Sequence, residues 1–318
     1  MKFKNRVYGV AGIGCINSNW NADFTGYPKS LSNGAIFGSD KAFKYSIKKL
    51  WENEGKKILY SKYYNPIPQK DKKSGELYLQ TYNLNEKYEN IFNTKLKKNT
   101  DPIDILKNLF SAEDVLNFGA TFASSDNDKN SKNLSITGAV QVMQGMNVYD
   151  DTETEVQDIL SPFVNPNKEN AKATSIGKKI TVNEAHYLYG FTINPQNYDI
   201  YNNIIDNFEG YTEEAYNNFK RGCCIGATAL NTNSKSGCEN EFALFVKLKE
   251  DSYKHLPDLA RYIKFEKTED SAIYDLTKLG EFLSDFKEDI ESIEVYANKF
   301  TVDIELGAID CEIKDIFE

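Results

Sequence analysis

Only two histidines, His186 and His255, occur in the 318 residues, and the five cysteines show no CxxC or other paired ligand spacing. A structural or catalytic zinc site draws its ligands from such residues at short spacings, so no metal centre of that kind is expected. Cys15, Cys223, Cys224, Cys238 and Cys311 are odd in number, which gives no disulfide framework and points to a reducing cytoplasm. No apolar run approaches the roughly 18 residues of a membrane span, and the glycine-broken start VYGVAGIGC is no secretory h-region. A phosphate-binding GxxxxGK[ST] loop and a GxSxG nucleophile elbow are both missing. Gly9, Gly12 and Gly14 lack the third glycine of a dinucleotide fingerprint, and no helix opens directly after them. They read instead as places where a neighbouring strand packs close.

What is present is an ordinary globular composition, 40% hydrophobic and 27% charged, with a formal charge of −9. The total argues against a nucleic-acid partner, but the charge is unevenly spread. Residues 1–70 carry twelve basic and four acidic side chains, whereas residues 251–318 carry eight basic and eighteen acidic ones. A polyanion responds to the local field, because charges beyond about 8–10 Å are screened in physiological salt.

Residues 6–16 are β-branched and glycine-spaced, as a strand. Residues 17–38 are a loop dense in Asn, Gly, Pro and Ser. The next segment starts a helix capped by Ser39 or Asp40 and stopped by Gly55, with Phe43, Ile47, Leu50 and Trp51 on one face. Lys41, Lys44 and Lys48 fall on an adjoining face, expected to be solvent-facing. Residues 53–100 read as helices or an insertion rather than core, and 101–119 as one or two short helices. A hairpin is expected from strands at 116–123 and 134–145, then an excursion over 149–183. A strand at 185–195, a helix at 212–230 and a strand at 241–249 follow. Helices near 275–297 and a strand pair near 299–313 complete the chain. The order is that of an α+β, modified ferredoxin-like or RNA-recognition-motif (RRM) core with large insertions.

No convergent catalytic set is visible. His186 in its strand reads as a hydrogen-bonded packing residue, and Cys223–Cys224 as small hydrophobes. The loop NSNWNADFTGYP stands out: its amides Asn17, Asn19 and Asn21 can hold phosphate or 2′-hydroxyl oxygens, and its rings can stack on bases.

These blocks, with VLNFGATFA, SITGAVQVMQGMN, LSPFVNPN, ATSIGKK and VNEAHYLYGFTINP, resemble in order the CRISPR-associated backbone subunit of Cascade, the seventh Cas family, in its type I-B form. The resemblance covers most of residues 6–196. It implies a hand-like single domain over 1–318, with a finger insertion at 53–110 and a thumb at 149–183. The palm would take in 6–16, 39–52, 116–145 and 185–196. It further implies a cytoplasmic, non-enzymatic subunit without cofactor. Its partners would be crRNA, target DNA through guide pairing, copies of itself head to tail and other Cascade subunits. On this reading the guide contacts are the three loop amides, Lys41, Lys44, Lys48, Thr137, Gly138, Thr174, Lys178, Ser234 and Lys235, with Phe163 as a thumb wedge. The alternative is a type III-like subunit that cleaves target RNA with Asp23 and a divalent metal.

Overall fold

The computed structural model describes residues 1–68, 77–97, 99–124, 132–160 and 176–318. The chain begins with β1 (Val7–Ser18), β2 (Phe37–Gly38) and α1 (Asp40–Asn53). Then come β3 (Tyr64–Pro68), β4 (Leu77–Thr81), α2 (Leu84–Phe92), α3 (Pro102–Phe110) and α4 (Glu113–Phe118). Five strands follow: β5 (Gly119–Ser124), β6 (Lys132–Thr137), β7 (Val140–Val142), β8 (Gly145–Asn147) and β9 (Thr154–Leu160). The long β10 (Ile176–Ile193), α5 (Glu213–Ile225), β11 (Cys238–Leu248), β12 (Lys264–Lys267) and β13 (Ala272–Asp275) come next. The last elements are α6 (Thr277–Ser284), β14 (Ile290–Ala297), β15 (Val302–Glu305) and β16 (Ile313–Asp315). The chain divides into two compact units, one of residues 1–6, 48–141 and 193–220, the other of residues 7–47, 142–192 and 221–318.

The second unit is built on a sheet ordered β16-β14-β11-β1-β10-β8-β2. In chain order its four central members, β11, β1, β10 and β8, stand last, first, third and second. β1 is buried at nine consecutive positions, so both of its faces are covered. That burial explains its unbroken run of Val, Ala, Ile and Gly in place of polar–apolar alternation. The glycines are the points of closest approach. A Cβ on Gly9 would lie 2.2 Å from the Phe191 ring and 2.3 Å from the Leu244 carbonyl oxygen, and one on Gly14 would lie 2.0 Å from the Glu241 carboxylate. The strand-packing reading of these glycines therefore holds. Beneath them, Val10, Phe242, Leu244, Val246, Tyr274 and Leu279 belong to one buried apolar cluster.

Gly14 leaves room for a buried polar network. His186 Nδ1 lies 2.8 Å from Glu241 Oε2, and its Nε2 lies 3.0 Å from Glu184 Oε1. The Tyr274 hydroxyl donates to the same Glu241 oxygen at 2.8 Å. His186 is thus the bonded packing residue the sequence suggested. Burial disfavours its imidazolium, but hydrogen bonds and charge from Glu241, then Glu184, outweigh that and raise its pKa. A raised histidine stabilises the fold fully below the unfolded value near 6.5, and that contribution is lost as pH rises through the folded value. The urea midpoint should therefore fall as pH rises from about 6. His186→Gln should flatten that dependence; an equal slope in the variant would exclude this network as its source.

Differences from expectation have local causes. Residues 53–100 were expected outside the core, yet Ile58, Leu59, Tyr88 and Phe92 are buried. The buried Asp114 carboxylate accepts the Leu59 and Tyr60 amides, each at 2.8 Å, which anchors that stretch. The expected strand at 134–145 is broken into three, because Gly138 packs against Phe118 and Gly119. Of the helices expected near 275–297 only α6 forms. IESIEVYA instead makes β14, whose β-branched content suits a strand pairing with β11. The final strands do not pair with each other: β15 joins β13 and β16 joins β14.

Candidate functional site

β1 ends in the loop that carries the amides. At its base Cys15 and Cys238 face each other in register across β1 and β11, sulfurs 3.2 Å apart, with the Ser18 hydroxyl 3.0 and 3.2 Å from them. This junction brings the loop after β1 beside the loop before β11. The Asn19 N–H donates to the Ser234 carbonyl at 2.9 Å, and Lys235 Nζ donates to the Asn19 carbonyl at 2.6 Å. Burial lowers the Lys235 pKa. Asn19 also reaches β10: its Nδ2 donates to the Gly26 carbonyl at 3.0 Å and the Ile180 carbonyl at 3.2 Å. Those two acceptors orient the amide, and its Oδ1 is left buried with no partner among the described residues.

β10 supplies the third wall. Its first seven residues pair with the exposed β9 as a ribbon, with Lys178 opposite Asp158 and Lys179 opposite Gln157. Where ribbon and loops meet there is a cavity of about 220 Å³, lined by Asn19, Ala22, Thr25, Gly26, Ile159, Lys178, Lys179, Ile180, Thr181, Asn233 and Ser234. Lys178 is exposed and Lys179 half-buried, and neither has an ion-pair partner among the described residues. Two ammonium groups without an ion-pair partner among the described residues, with amide and hydroxyl neighbours, suit an anion bearing hydroxyls, such as a sugar–phosphate.

The structure brings Asn19, Lys178, Ser234 and Lys235 together here. Asn17 is exposed with φ 49°, and Asn21 is spent on the fold, its Oδ1 accepting the Ser39 amide at 2.9 Å. On α1, Lys41 is exposed, but Lys44 pairs with Asp40 at 3.1 Å and Lys48 Nζ donates to the Tyr60 carbonyl at 2.8 Å. The expectation that Lys44 and Lys48 face solvent is thus corrected, because both are half-buried. In the first unit Thr137 is exposed and Gly138 buried, with the Gly138 carbonyl accepting from Gln141 and Asn197. Thr174 and Phe163 lie outside the described residues.

Other cations of the basic N-terminal segment are also paired: Lys2 with Asp199, Lys49 with Glu52 and Lys56 with Glu214. Asp199 and Glu214 come from outside the segment and offset part of its excess charge, whereas Asp40 and Glu52 belong to the segment itself. Trp20, one of the loop rings, is fully buried and donates Nε1–H to the Tyr189 hydroxyl at 2.6 Å, which removes it as a stacking surface. Sequence reasoning missed Lys179, Thr181 and Asn233. The adjacent Lys178–Lys179 pair was the available signal for the first.

Asp23 has a structural task. Its Oδ1 accepts the Thr25 N–H at 2.8 Å, the Thr25 hydroxyl at 2.7 Å and the Tyr27 N–H at 3.1 Å. The Thr25 hydroxyl bond is the main cause holding its pKa below the usual range. Among the described residues no three His, Cys, Asp or Glu side chains gather as metal ligands. Nor is any described helix long and apolar enough to cross a membrane.

Comparison with known proteins agrees with this architecture. The sequence pattern of the family described as CRISPR-associated protein Cas7 matches residues 5–291. A chain of a solved "CRISPR RNA-guided surveillance complex, pre-nicking" is similar at a TM-score of 0.51, with 12% identity over 92% of each chain. A chain of another "CRISPR RNA-guided surveillance complex" gives 0.47, with 14% identity over 95% of each. At 12% identity the first of these likenesses is one of fold. No curated protein matches.

Proposed function

The chain belongs to the Cas7 family of CRISPR-associated proteins, and from that premise we propose that it is a crRNA-binding backbone subunit of a Cascade surveillance complex, of type I-B. The observation that carries this reading is the cavity joining Asn19, Lys178, Lys179 and Ser234. Its lysines, which have no ion-pair partner among the described residues, and its amides suit a sugar–phosphate backbone and read no base edge, as a subunit serving every spacer requires. Bases left outward then pair with target DNA, so that pairing supplies specificity. The strand order β11-β1-β10-β8, with α1 following β1 and α5 preceding β11, supports reading this part as an RRM-like palm. The β9–β10 ribbon is read as the base of a thumb. Copies joined head to tail through a heterologous, non-closing interface would extend along one guide, in the cytoplasm and without catalysis by this subunit.

The test is extraction of nucleic acid from the protein purified from its own cells. RNA of uniform, repeat-derived length is expected. Recovery of DNA alone, or of no nucleic acid from the intact complex, would overturn the assignment.

A further inference from the structure

We propose that Phe24 is a stacking platform for one base of the strand held at the Lys178–Ser234 cavity. This rests on the RNA-binding reading above and adds a base contact to a site otherwise limited to backbone. Phe24 is more exposed than any other large apolar side chain among the described residues. A ring left wholly in water forgoes the burial that ordinarily stabilises it and is open to a stacking partner.

The ring stands on a rigid support. The three bonds to Asp23 Oδ1 close the turn around it, and the Asp23 N–H donates to the Tyr27 carbonyl at 2.8 Å. Gly26 takes φ 91°, which a side chain would resist, and Ala22 bridges Pro28 at the base. The turn is tied to the cavity wall, since the Asn19 amide that holds Gly26 also holds Ile180. Thr25 and Gly26 line the cavity themselves, so the Phe24 backbone is fixed one residue from it.

Charge selects the occupant. A strand whose phosphates sit at Lys178 and Lys179 presents base faces beside them. Stacking on an aromatic ring is the contact that every base can make. The preordered turn means little conformational freedom is lost when the ring is covered.

Binding of a labelled single-stranded RNA to the full chain, measured at several salt concentrations, tests this. Phe24→Ala is expected to weaken binding about 10-fold, within the range for one stacked base, and to leave the salt slope unchanged because no phosphate contact is lost. Phe24→Trp should bind at least as tightly as wild type, and its added fluorescence should be quenched by RNA. Phe24→Leu should resemble Phe24→Ala. Wild-type affinity in Phe24→Ala or Phe24→Leu overturns the proposal, as does weakened self-association with RNA affinity unchanged, which would place the ring against a protein neighbour. The underlying reading fails by a different signature: RNA affinity indifferent to loss of Lys178 and Lys179.

Discussion

Reversing Lys178 and Lys179 together, as Lys178→Glu with Lys179→Glu, should lower affinity for single-stranded RNA by at least about 100-fold in physiological salt. A hydrogen bond to a charged group contributes about 1.5–3 kcal/mol, and two are lost, at about 1.4 kcal/mol per tenfold. The same variant should flatten the salt dependence by about 1.4 in log–log slope, since each phosphate contact on a single strand contributes about 0.7. Reversal at 178 also sets an acid opposite Asp158 across the ribbon, which costs roughly 0.2–1 kcal/mol in sheet stability. Lys178→Gln with Lys179→Gln avoids that repulsion and should retain the wild-type melting temperature while still losing affinity. Filter binding or anisotropy across a salt series measures both quantities. An unaltered slope in the glutamine pair would remove these lysines from the interface. Charge reversal of Lys44 and Lys48 is a poorer probe, because each already holds a partner within the fold.

Gly9→Ala should be among the most destabilising single-methyl changes in the chain. Its Cβ would lie 2.2 and 2.7 Å from Phe191 ring carbons and 2.3 Å from the Leu244 carbonyl oxygen. The ring is fully buried, and the carbonyl belongs to the backbone of the paired strand, so relief requires β1 and β11 to separate. Overpacking ordinarily costs about 1–3 kcal/mol, and displacement of backbone puts this substitution at about 3 kcal/mol or above. At roughly 2–4 °C per kcal/mol, the melting temperature should drop by roughly 6–12 °C. Gly12→Ala provides the graded comparison, since its nearest neighbours would be Phe242 Cβ at 3.1 Å and the Tyr274 hydroxyl at 3.3 Å. That change should cost about 1 kcal/mol. Equal melting temperatures for the two variants would contradict the strand approach described for Gly9.

How far the residues alone led can be seen element by element. The first strand, α1 with its buried Phe43, Ile47, Leu50 and Trp51, α5 and β11 were all legible. Their periodicity records which face is covered, and a period is a local property of the chain. β14 was read as helix although its β-branched residues suit a strand, because the pairing with β11 that decides it lies outside the segment. The buried role of Tyr88 and Phe92 was hidden for a similar reason: their partners lie outside their own segment, as in the ring contact between Tyr88 and Phe122.

The candidate site divides in the same way. Loop amides and runs of lysine could be found by reading, and so could the family pattern, because motifs are contiguous. Which of those groups are still available could not. Asn21 is consumed by the Ser39 amide, Trp20 by Tyr189, Lys44 by Asp40 and Lys48 by Tyr60. The lysines at the cavity, Lys178 and Lys179, stand about 160 residues from the loop amides they face, beyond the basic segment that the charge count favoured. Residue order thus established the family, the α+β elements and the kinds of group that could hold a nucleic-acid backbone. Only the folded chain decided which of them are taken up by partners within it, because pairing depends on distances of about 3 to 4 Å between segments that sequence position does not bring together.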